Sequence, residues 1–469
     1  MKKIFSLLLI TSFISSCAVG PDYKRPDVAT PAKYRGVTTT QDARSLADAP
    51  WWDIFKDPVL KGLIDEALKN NLDLRIASAR VEQMRELARK KKGDYYPHLN
   101  YSATDNYGRN VASYGLPDGK NSNMFSGNVE MQWELDVWGR VRRGSESARA
   151  QYLASIEAKR GIILMLITEL ATAYIQLREL DSELEIAKRT AEAFKGTYDL
   201  FNRRYKGGDA SLLETSRAGA ALSQVSAYIP YLENQIFEKE NQICFLLGRP
   251  PLAVPRGQTL KEQYLVPDVP AGLPSTLLER RPDIRQAEQL LISANAEIGV
   301  AKADFFPRFS LTGLLGSASP DLKSFSNSWS IGGGLTGPLF NGGKIFANYE
   351  ATKQAYEQTK LQYEKTVINA FREVADAVNL QQKLSGIRDE QAKSVDFLRT
   401  ATKLSLDRYK KGLSNYNDVL DAQQQLYPAE NDLARTERDR LLAIVQLFKA
   451  LGGGWNSVEQ ANASVKVYN

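Results

Sequence analysis

The chain has 469 residues, of which 43% are hydrophobic, so it is long enough for a sizeable core and for more than one domain. Its formal net charge of +6 is mild and its 61 Lys and Arg residues are scattered, which argues against nucleic-acid binding. A single histidine and two cysteines leave no basis for histidine catalysis, a His-rich metal site or a disulfide framework.

Residues 1–16 have the pattern of a secretory signal peptide, with Met-Lys-Lys followed by an apolar stretch over Ile4–Ile14. The stretch is too short to span a membrane as a helix. The "ISSC" that ends it resembles a bacterial lipobox, which implies that Cys17 is acylated and begins the mature segment 17–59. By the lipoprotein sorting rule, Ala18 after this cysteine implies the outer membrane. The alternative is an ordinary signal peptide with a chance cysteine.

Two long segments of the chain repeat each other in fixed register. Asp73 aligns on Asp283 at an offset of 283 − 73 = 210, and Tyr205 aligns on Tyr409 at an offset of 409 − 205 = 204. The two offsets differ by one short insertion or deletion. A repeat of roughly 200 residues is too long for a solenoid unit, so it indicates the duplication of a whole structural half.

Each half is predicted to contain a helical segment, a β-hairpin and a long helical hairpin, in that order. Val129, Met131 and Trp133 alternate with polar residues, as in an amphipathic strand. After the hairpin, apolar residues such as Leu166 and Leu170 recur at alternating steps of four and three, the seam of a coiled coil. The predicted ranges are 60–94 and 282–304 for the helical segments, 95–139 and 305–343 for the β-hairpins, and 140–250 and 344–451 for the helical hairpins.

The tips of the helical hairpins are predicted at 206–211 and 410–415, where glycines interrupt the helices. Residues 251–281 connect the halves, and 452–469 form a C-terminal tail. Apart from the signal peptide, no apolar run has the length of a membrane helix, because Glu169 interrupts the best candidate at Gly161–Leu170. A membrane would therefore be crossed by strands.

Four strands cannot close a barrel, and open strand edges cannot exist in lipid. Three copies would supply twelve strands, an even number within the range of outer-membrane barrels. We therefore expect a mixed membrane β-barrel plus α-helical coiled-coil barrel: a trimeric 12-stranded barrel continuous with a helical tunnel reaching about 100 Å into the periplasm.

The sequence resembles the outer-membrane factor family, the TolC-like efflux proteins, and specifically its lipoprotein subgroup. The resemblance rests on five stretches: "CAVGPDYKRP" (17–26), "WWDIFKDPVLKGLIDEALKNNLDL" (51–74), "ERRPDIRQAEQLL" (279–291), "PLFNGGK" (338–344) and "RYKKGLSNYNDVLDAQQQLY" (408–427). It implies a lipid-anchored homotrimer that docks with a periplasmic adaptor protein and an inner-membrane transporter, and that exports drugs or other small compounds. It implies no catalysis, and no cofactor beyond the lipid on Cys17 is expected. The composition indicates neither a metal site nor nucleic-acid binding.

The same resemblance implies the gate at the periplasmic tips. Tyr409, Asp418 and Asp421 match the gate positions, and Glu214 matches an acidic partner on the first hairpin. A hydrogen bond between Tyr409 and Glu214 would tie the two hairpins together. In a trimer, Asp418 and Asp421 would place six carboxylates near one axis, where repulsion could bind cations or respond to pH.

A plainer interpretation exists for two of these acids. Ser211-x-x-Glu214 is a capping box, and Asn415-x-x-Asp418 occupies the corresponding positions in the second half. Asp421 lies one turn further into its helix and is replaced by Arg217 in the first half, so capping does not explain it.

The resemblance also implies adaptor contact at Gly208, Gly412, Leu413 and Ser414. The first half has no counterpart of Leu413, and Ser414 occupies the family's basic gate position, so an ionic lock there is absent or supplied elsewhere. Two other functions stay open at this point: the outer-membrane duct of a type I protein-secretion system, and a periplasmic scaffold lipoprotein without a pore.

Overall fold

The computed structural model describes residues 18–31, 35, 55–109, 121–263 and 277–453. The predicted signal peptide, Cys17, the loop of the first β-hairpin and nearly all of the C-terminal tail lie outside these ranges. The described elements, in chain order, are α1 (Pro58–Asn70), α2 (Leu72–Lys92), β1 (His98–Arg109), β2 (Asn121–Leu135), α3 (Arg140–Lys206), α4 (Leu212–Leu246), α5 (Leu277–Arg280), α6 (Pro282–Ala303), β3 (Arg308–Ser319), β4 (Ser326–Thr336), α7 (Lys344–Lys410) and α8 (Tyr416–Ala450).

The two halves of the chain contain matching elements. Helices α3 and α7 both have 67 residues, and α4 and α8 both have 35. The first strands of the two hairpins, β1 and β3, both have 12 residues. The predicted helical hairpins therefore coincide with α3–α4 and α7–α8.

The helical segment predicted at 60–94 contains two helices, α1 and α2, and the sequence did not predict the break between them. The chain leaves the helical conformation at Asn71, whose ψ is 131°. The Asn71 side chain explains the break, because its Oδ1 accepts a hydrogen bond from the Leu74 backbone N–H at 2.9 Å and its amide donates to the Leu246 carbonyl at 2.8 Å. An asparagine that caps the next helix in this way favours a new helix start over continuation.

All four strands form one antiparallel sheet in the order β1-β2-β3-β4. Each predicted β-hairpin is present, as β1–β2 and β3–β4. The sequence did not predict that β2 also pairs with β3, with Val129 opposite Leu315. This pairing joins the two halves into a single sheet.

The chain divides into two compact units. The sheet unit contains the N-terminal segment up to Asp27, Ala79–Glu157 and Gln286–Lys365, and the hairpin unit contains Val28–Ser78, Ala158–Arg285 and the chain from Thr366 onward. The hairpin unit has a large apolar core, which includes Leu170, Leu177 and Phe448. Burial of such side chains contributes about 1.5–3 kcal/mol each.

One buried carboxylate organises the hairpin unit around α1. Asp57, 1% exposed, accepts hydrogen bonds from the Val59 N–H at 2.8 Å and from the Tyr174 hydroxyl at 3.0 Å. It also accepts from the Gln258 N–H at 3.0 Å and from the Gln263 amide at 2.6 Å. Asp57 thereby caps α1 and fixes part of the segment that connects the halves.

Among the described residues, α3 contains an 18-residue window that is long and apolar enough to cross a membrane. However, 56% of that window is buried inside the protein, and the core helix of a soluble protein passes the same test.

Candidate functional sites: an amphipathic sheet and paired helical tips

The sheet has one apolar and one polar face. Residues directly opposite one another in the register lie on the same face. One such row runs Tyr101, Val129, Leu315, Trp329, and all four of these side chains are exposed. A neighbouring row on the opposite face runs Ser102, Asn128, Gly316, Ser328. A wide apolar surface open to its surroundings is typical of a sheet that contacts lipid.

The sheet has two open edges. Within the described residues, β1 and β4 each pair with one neighbour, which leaves unpaired backbone groups along strands of 12 and 11 residues. Unpaired backbone groups cost several kcal/mol each in hydrocarbon. A sheet with this apolar face therefore needs further strands before it can enter a membrane.

The residues that follow Cys17 are held beside the ends of the strands. The Val19 N–H donates to the carbonyl of Trp138 at 3.0 Å, and the Trp138 ring stacks on Phe306 at 4.6 Å. A Cβ on Gly20, whose φ is +118°, would lie 2.6 Å from the Gly299 Cα, so this crossing needs glycine. The sequence patterns did not reveal this packing because it joins distant parts of the chain.

Arg25 forms a second attachment of this N-terminal segment. Its guanidinium donates two hydrogen bonds of 2.6 Å to the carboxylate of Glu288, a side chain only 11% exposed. Such bidentate pairing fixes both distance and orientation. The attachment lies within ten residues of the predicted acylation site.

The two helical tips turn in the same way. At each tip a glycine has positive φ, +82° at Gly208 and +71° at Gly412. The N–H of the following residue donates to a carbonyl five residues back, from Asp209 to Arg204 at 2.8 Å and from Leu413 to Arg408 at 2.9 Å. This is the Schellman termination of a helix, which needs the left-handed conformation that glycine adopts without strain.

An aromatic cluster, formed by Phe201, Tyr409 and Tyr416, connects the two tips. Phe201 on α3 is 1% exposed. Its ring centre lies 4.2 Å from that of Tyr416 and 5.4 Å from that of Tyr409, both on the second hairpin. Burial raises the pKa of Tyr416 to about 12 and also raises the pKa of Tyr409. Both hydroxyls are therefore neutral at physiological pH, and the cluster is an uncharged contact between the hairpins.

The structure corrects the expected partner of Tyr409. Its hydroxyl accepts a hydrogen bond of 2.9 Å from Arg204, whose guanidinium also lies 5.6 Å from the Tyr409 ring centre. The carboxylate of Glu214 is engaged elsewhere, since it accepts from the Ser211 N–H at 2.9 Å and completes a capping box. The expected hydrogen bond between Tyr409 and Glu214 was therefore wrong, because local capping satisfies the acid first.

The other two predicted acids differ in surroundings. Asp418 is exposed at the start of α8, where its backbone N–H donates to the Asn415 side chain at 3.2 Å. Asp421 is exposed one turn later and accepts from the Gln425 amide at 2.9 Å. Arg217, which aligns with Asp421, donates to Asn417 at 2.9 Å, a further contact between the hairpins that the sequence did not predict.

The predicted adaptor-contact residues lie at the second tip and its counterpart. Gly208 and Gly412 form the turns, and the Leu413 side chain is 64% exposed. The Ser414 hydroxyl oxygen is buried and has no hydrogen-bond partner in the part of the chain that the structure describes. No group of three or more His, Cys, Asp and Glu side chains among the described residues could hold a metal ion.

The family profile described as "Outer membrane efflux protein" matches residues 63–249 and 273–453. The chain belongs to this family. It is 35% identical over 466 residues to the solvent efflux pump outer membrane protein SrpC of Pseudomonas putida, covering 97% of this chain and 98% of the relative. The two matched ranges correspond to the two halves of the internal repeat.

Solved structures of this type match the whole fold. The outer-membrane channel OprN is 32% identical with a TM-score of 0.87, and the match covers 94% of this chain and all of OprN. The open-state outer membrane channel MtrE of Neisseria gonorrhoeae is 32% identical with a TM-score of 0.83, covering 93% of this chain and 98% of MtrE.

The protein is thus an outer-membrane channel for efflux, as the sequence resemblance indicated. Its relatives are efflux channels, which favours this function over protein secretion. A scaffold without a pore has no use for a sheet with an exposed apolar face. The family is one of channels rather than enzymes.

Proposed function

We propose that three copies of this chain form the exit duct of a tripartite efflux pump in the outer membrane. The observation that carries the proposal is the four-stranded sheet, which has an exposed apolar face and two open edges. Joining β4 of one copy to β1 of the next pairs every edge, and three copies give twelve strands.

The helical hairpins supply a second reason for self-association. Ile368, Phe397 and Leu404 on α7 are 62%, 75% and 55% exposed. Their separations of 29 and 7 residues are close to whole numbers of turns at about 3.6 residues per turn, so the three side chains share one face. A neighbouring copy would remove this apolar face from water.

The strand edges allow a direct test of the trimer. Ser102 on β1 and Ser328 on β4 lie on the polar face, and cysteines at both positions would be joined between copies by a short bifunctional reagent. We expect a ladder of products on denaturing gels that ends at three chains. A ladder that ends at two chains, or continues past three, contradicts the proposed assembly.

The partners are proposed to be a periplasmic adaptor protein and an inner-membrane transporter. The name of the relative SrpC describes it as the outer-membrane protein of a solvent efflux pump, and the exposed Leu413 gives the tip an apolar contact point. Photocrosslinking from Leu413 or Ser414 in cells should capture the adaptor, whereas the exposed Gln354 on α7 should not. Equal capture from all three positions would contradict docking at the tips.

The gate is proposed to lie at the same tips, formed by Tyr409, Asp418, Asp421 and Glu214. Because Glu214 completes a capping box, its part in the gate is to hold the start of α4. Asp421 has no capping role, which supports it as the carboxylate that faces the axis. In planar bilayers, Asp421→Asn should reduce the block by divalent cations more than Asp418→Asn does, and equal effects would remove this distinction.

The anchor is proposed to be lipid on Cys17, and the cargo small organic compounds. The clamped segment that begins at Val19 would hold such a lipid next to the ends of the strands. Cys17→Ala should weaken membrane attachment without abolishing conductance, because the strands do the spanning. Loss of conductance with the protein still in the outer membrane would contradict that division of roles.

A further inference from the structure

Well away from the tips, three ion pairs connect the first helical hairpin to the second. They join α3 to α8: Arg189 with Glu430 at 2.5 Å, Glu183 with Arg435 at 2.7 Å, and Glu179 with Arg438 at 3.3 Å. We call these pairs the mid-hairpin ladder. Its rungs lie roughly 30 to 45 Å along α3 from the turn at Gly208, taking about 1.5 Å per residue.

The acids of the ladder are buried while their partners are partly exposed. The side chains of Glu179 and Glu183 are each 5% exposed, and that of Glu430 is 6% exposed. Glu430 is held twice, because Arg399 on α7 also donates to it at 2.7 Å. A buried acid that loses its partner is left as an uncompensated charge, so separating the hairpins here requires each acid to become hydrated.

Two of the acids also interact with each other. Glu179 and Glu183 are four residues apart on α3, and burial together with repulsion from Glu183 raises the pKa of Glu179 to about 7. The charged groups that face Glu179 are Arg435 and Arg438 from α8, Glu183 from α3 and Lys239 from α4. The positive charges oppose the rise without cancelling it.

We propose that the mid-hairpin ladder is a second latch of the channel, which holds the two hairpins together independently of the tips. The three ion pairs between α3 and α8 carry this latch, and the proton of Glu179 adds a pH dependence to it. The inference rests on the proposed function, because it assumes a channel that opens when the hairpins separate. The ladder residues are positioning residues: they set the equilibrium between the two arrangements and do not contact the cargo.

Glu179 binds its proton more tightly in the packed ladder than in separated hairpins, and this difference sets the direction of the pH effect. In the packed ladder its pKa is about 7, whereas a hydrated Glu179 in separated hairpins would titrate near the usual 4.5. The packed arrangement therefore gains stability below pH 4.5 and loses that gain as the pH rises toward 7. Opening should increase over this interval, by at most about tenfold per pH unit for one proton.

Two glutamate-to-glutamine substitutions should act in opposite directions. Glu430→Gln removes the carboxylate that accepts charge-assisted hydrogen bonds from Arg189 and Arg399, so we expect the open probability of single channels in planar bilayers to rise at least about tenfold. Glu179→Gln imitates the protonated acid, so the open probability should stay low and lose its dependence on pH. A uniform structural defect would move both variants in the same direction.

A matched control lies within the second hairpin. Glu437 on α8 pairs with Arg388 on α7 at 2.7 Å, so it joins two helices of the same hairpin and does not connect to the first. Glu437→Gln should leave the open probability unchanged. If Glu430→Gln does not assemble, Arg189→Gln removes the same rung from its half-exposed side and should also increase opening.

Different results would contradict the proposed channel, the latch and the role of the Glu179 proton. No conductance at any pH, either from the unaltered protein or from any of these variants, would contradict the proposed channel itself. Normal conductance, with Glu430→Gln no more open than Glu437→Gln, would overturn the latch alone. A pH dependence that survives in Glu179→Gln would overturn the role of the Glu179 proton.

Discussion

Replacement of Phe201 by alanine tests whether the aromatic cluster holds the tips together. The ring is 1% exposed and lies between the two hairpins, against Tyr416 at 4.2 Å and Tyr409 at 5.4 Å. Removing a buried phenylalanine side chain costs about 3–5 kcal/mol in total. Only the share of this free energy that comes from contact between the hairpins changes the open probability of the channel.

That part can be worked out from the two ring contacts. Aromatic pairs contribute about 0.5–1.5 kcal/mol each beyond their buried area, so the two pairs contribute about 1–3 kcal/mol. Since 1.4 kcal/mol corresponds to a factor of ten, the open probability should rise between about fivefold and a hundredfold. The Phe201→Leu variant, which keeps most of the volume and loses the ring contacts, should show most of this increase.

The assay is the single-channel open probability of purified protein in planar bilayers without an adaptor. Leu232→Ala is the matched control, because Leu232 is also 1% exposed but packs mainly against Leu180 and Ala187 of its own hairpin. The control should lower thermal stability and leave the open probability within about twofold. If Phe201→Ala assembles normally and its open probability equals that of the control, the aromatic cluster does not tie the hairpins.

Contacts at the first tip, in the sheet and beside α1 can be tested by single substitutions. Arg204→Gln removes the hydrogen bond and the ring contact to Tyr409, so the open probability should rise about threefold to tenfold. An unchanged open probability would show that this contact is dispensable. Ile331→Arg places a charge on the apolar face at a cost of about 2–4 kcal/mol, so the yield of protein assembled in the outer membrane should fall. Ser330→Arg, on the opposite face, should assemble much better, and equal yields would contradict the assignment of the faces. Asp57→Ala leaves several buried donors unpaired, so the free energy of unfolding should fall by about 3 kcal/mol with little change in conductance. An unchanged melting temperature would contradict the role of Asp57.

The ends of the long helices could be predicted from the sequence within about two residues, because the signals that end them are local. Gly208 and Gly412 supply the left-handed turn, and Ser211 and Asn415 accept the hydrogen bonds that start the next helices. The break at Asn71 was missed, because an asparagine continues or ends a helix according to its tertiary partner, here the Leu246 carbonyl.

The strands and their faces could be predicted as well, because alternation of apolar and polar residues depends on the strand alone. The pairing of β2 with β3 could not, since alternation fixes which face a residue occupies and not which strand lies beside it.

At the candidate gate, the sequence pointed to Tyr409 and to the capping role of Glu214. It did not identify Arg204, Arg217 or the mid-hairpin ladder, because these contacts join residues about 200 or more positions apart. Arg204 and Arg408 align in the repeat, but Arg204 donates to Tyr409 of the second hairpin whereas Arg408 donates to the Leu413 carbonyl of its own tip.

The most direct test of the proposed channel is the conductance of the purified full-length protein in a planar lipid bilayer. A sheet completed by three copies predicts discrete single-channel steps, with a block that Asp421→Asn relieves. Protein that inserts into the bilayer as a stable oligomer and yet gives no conductance at any pH, even as Phe201→Ala, would contradict it.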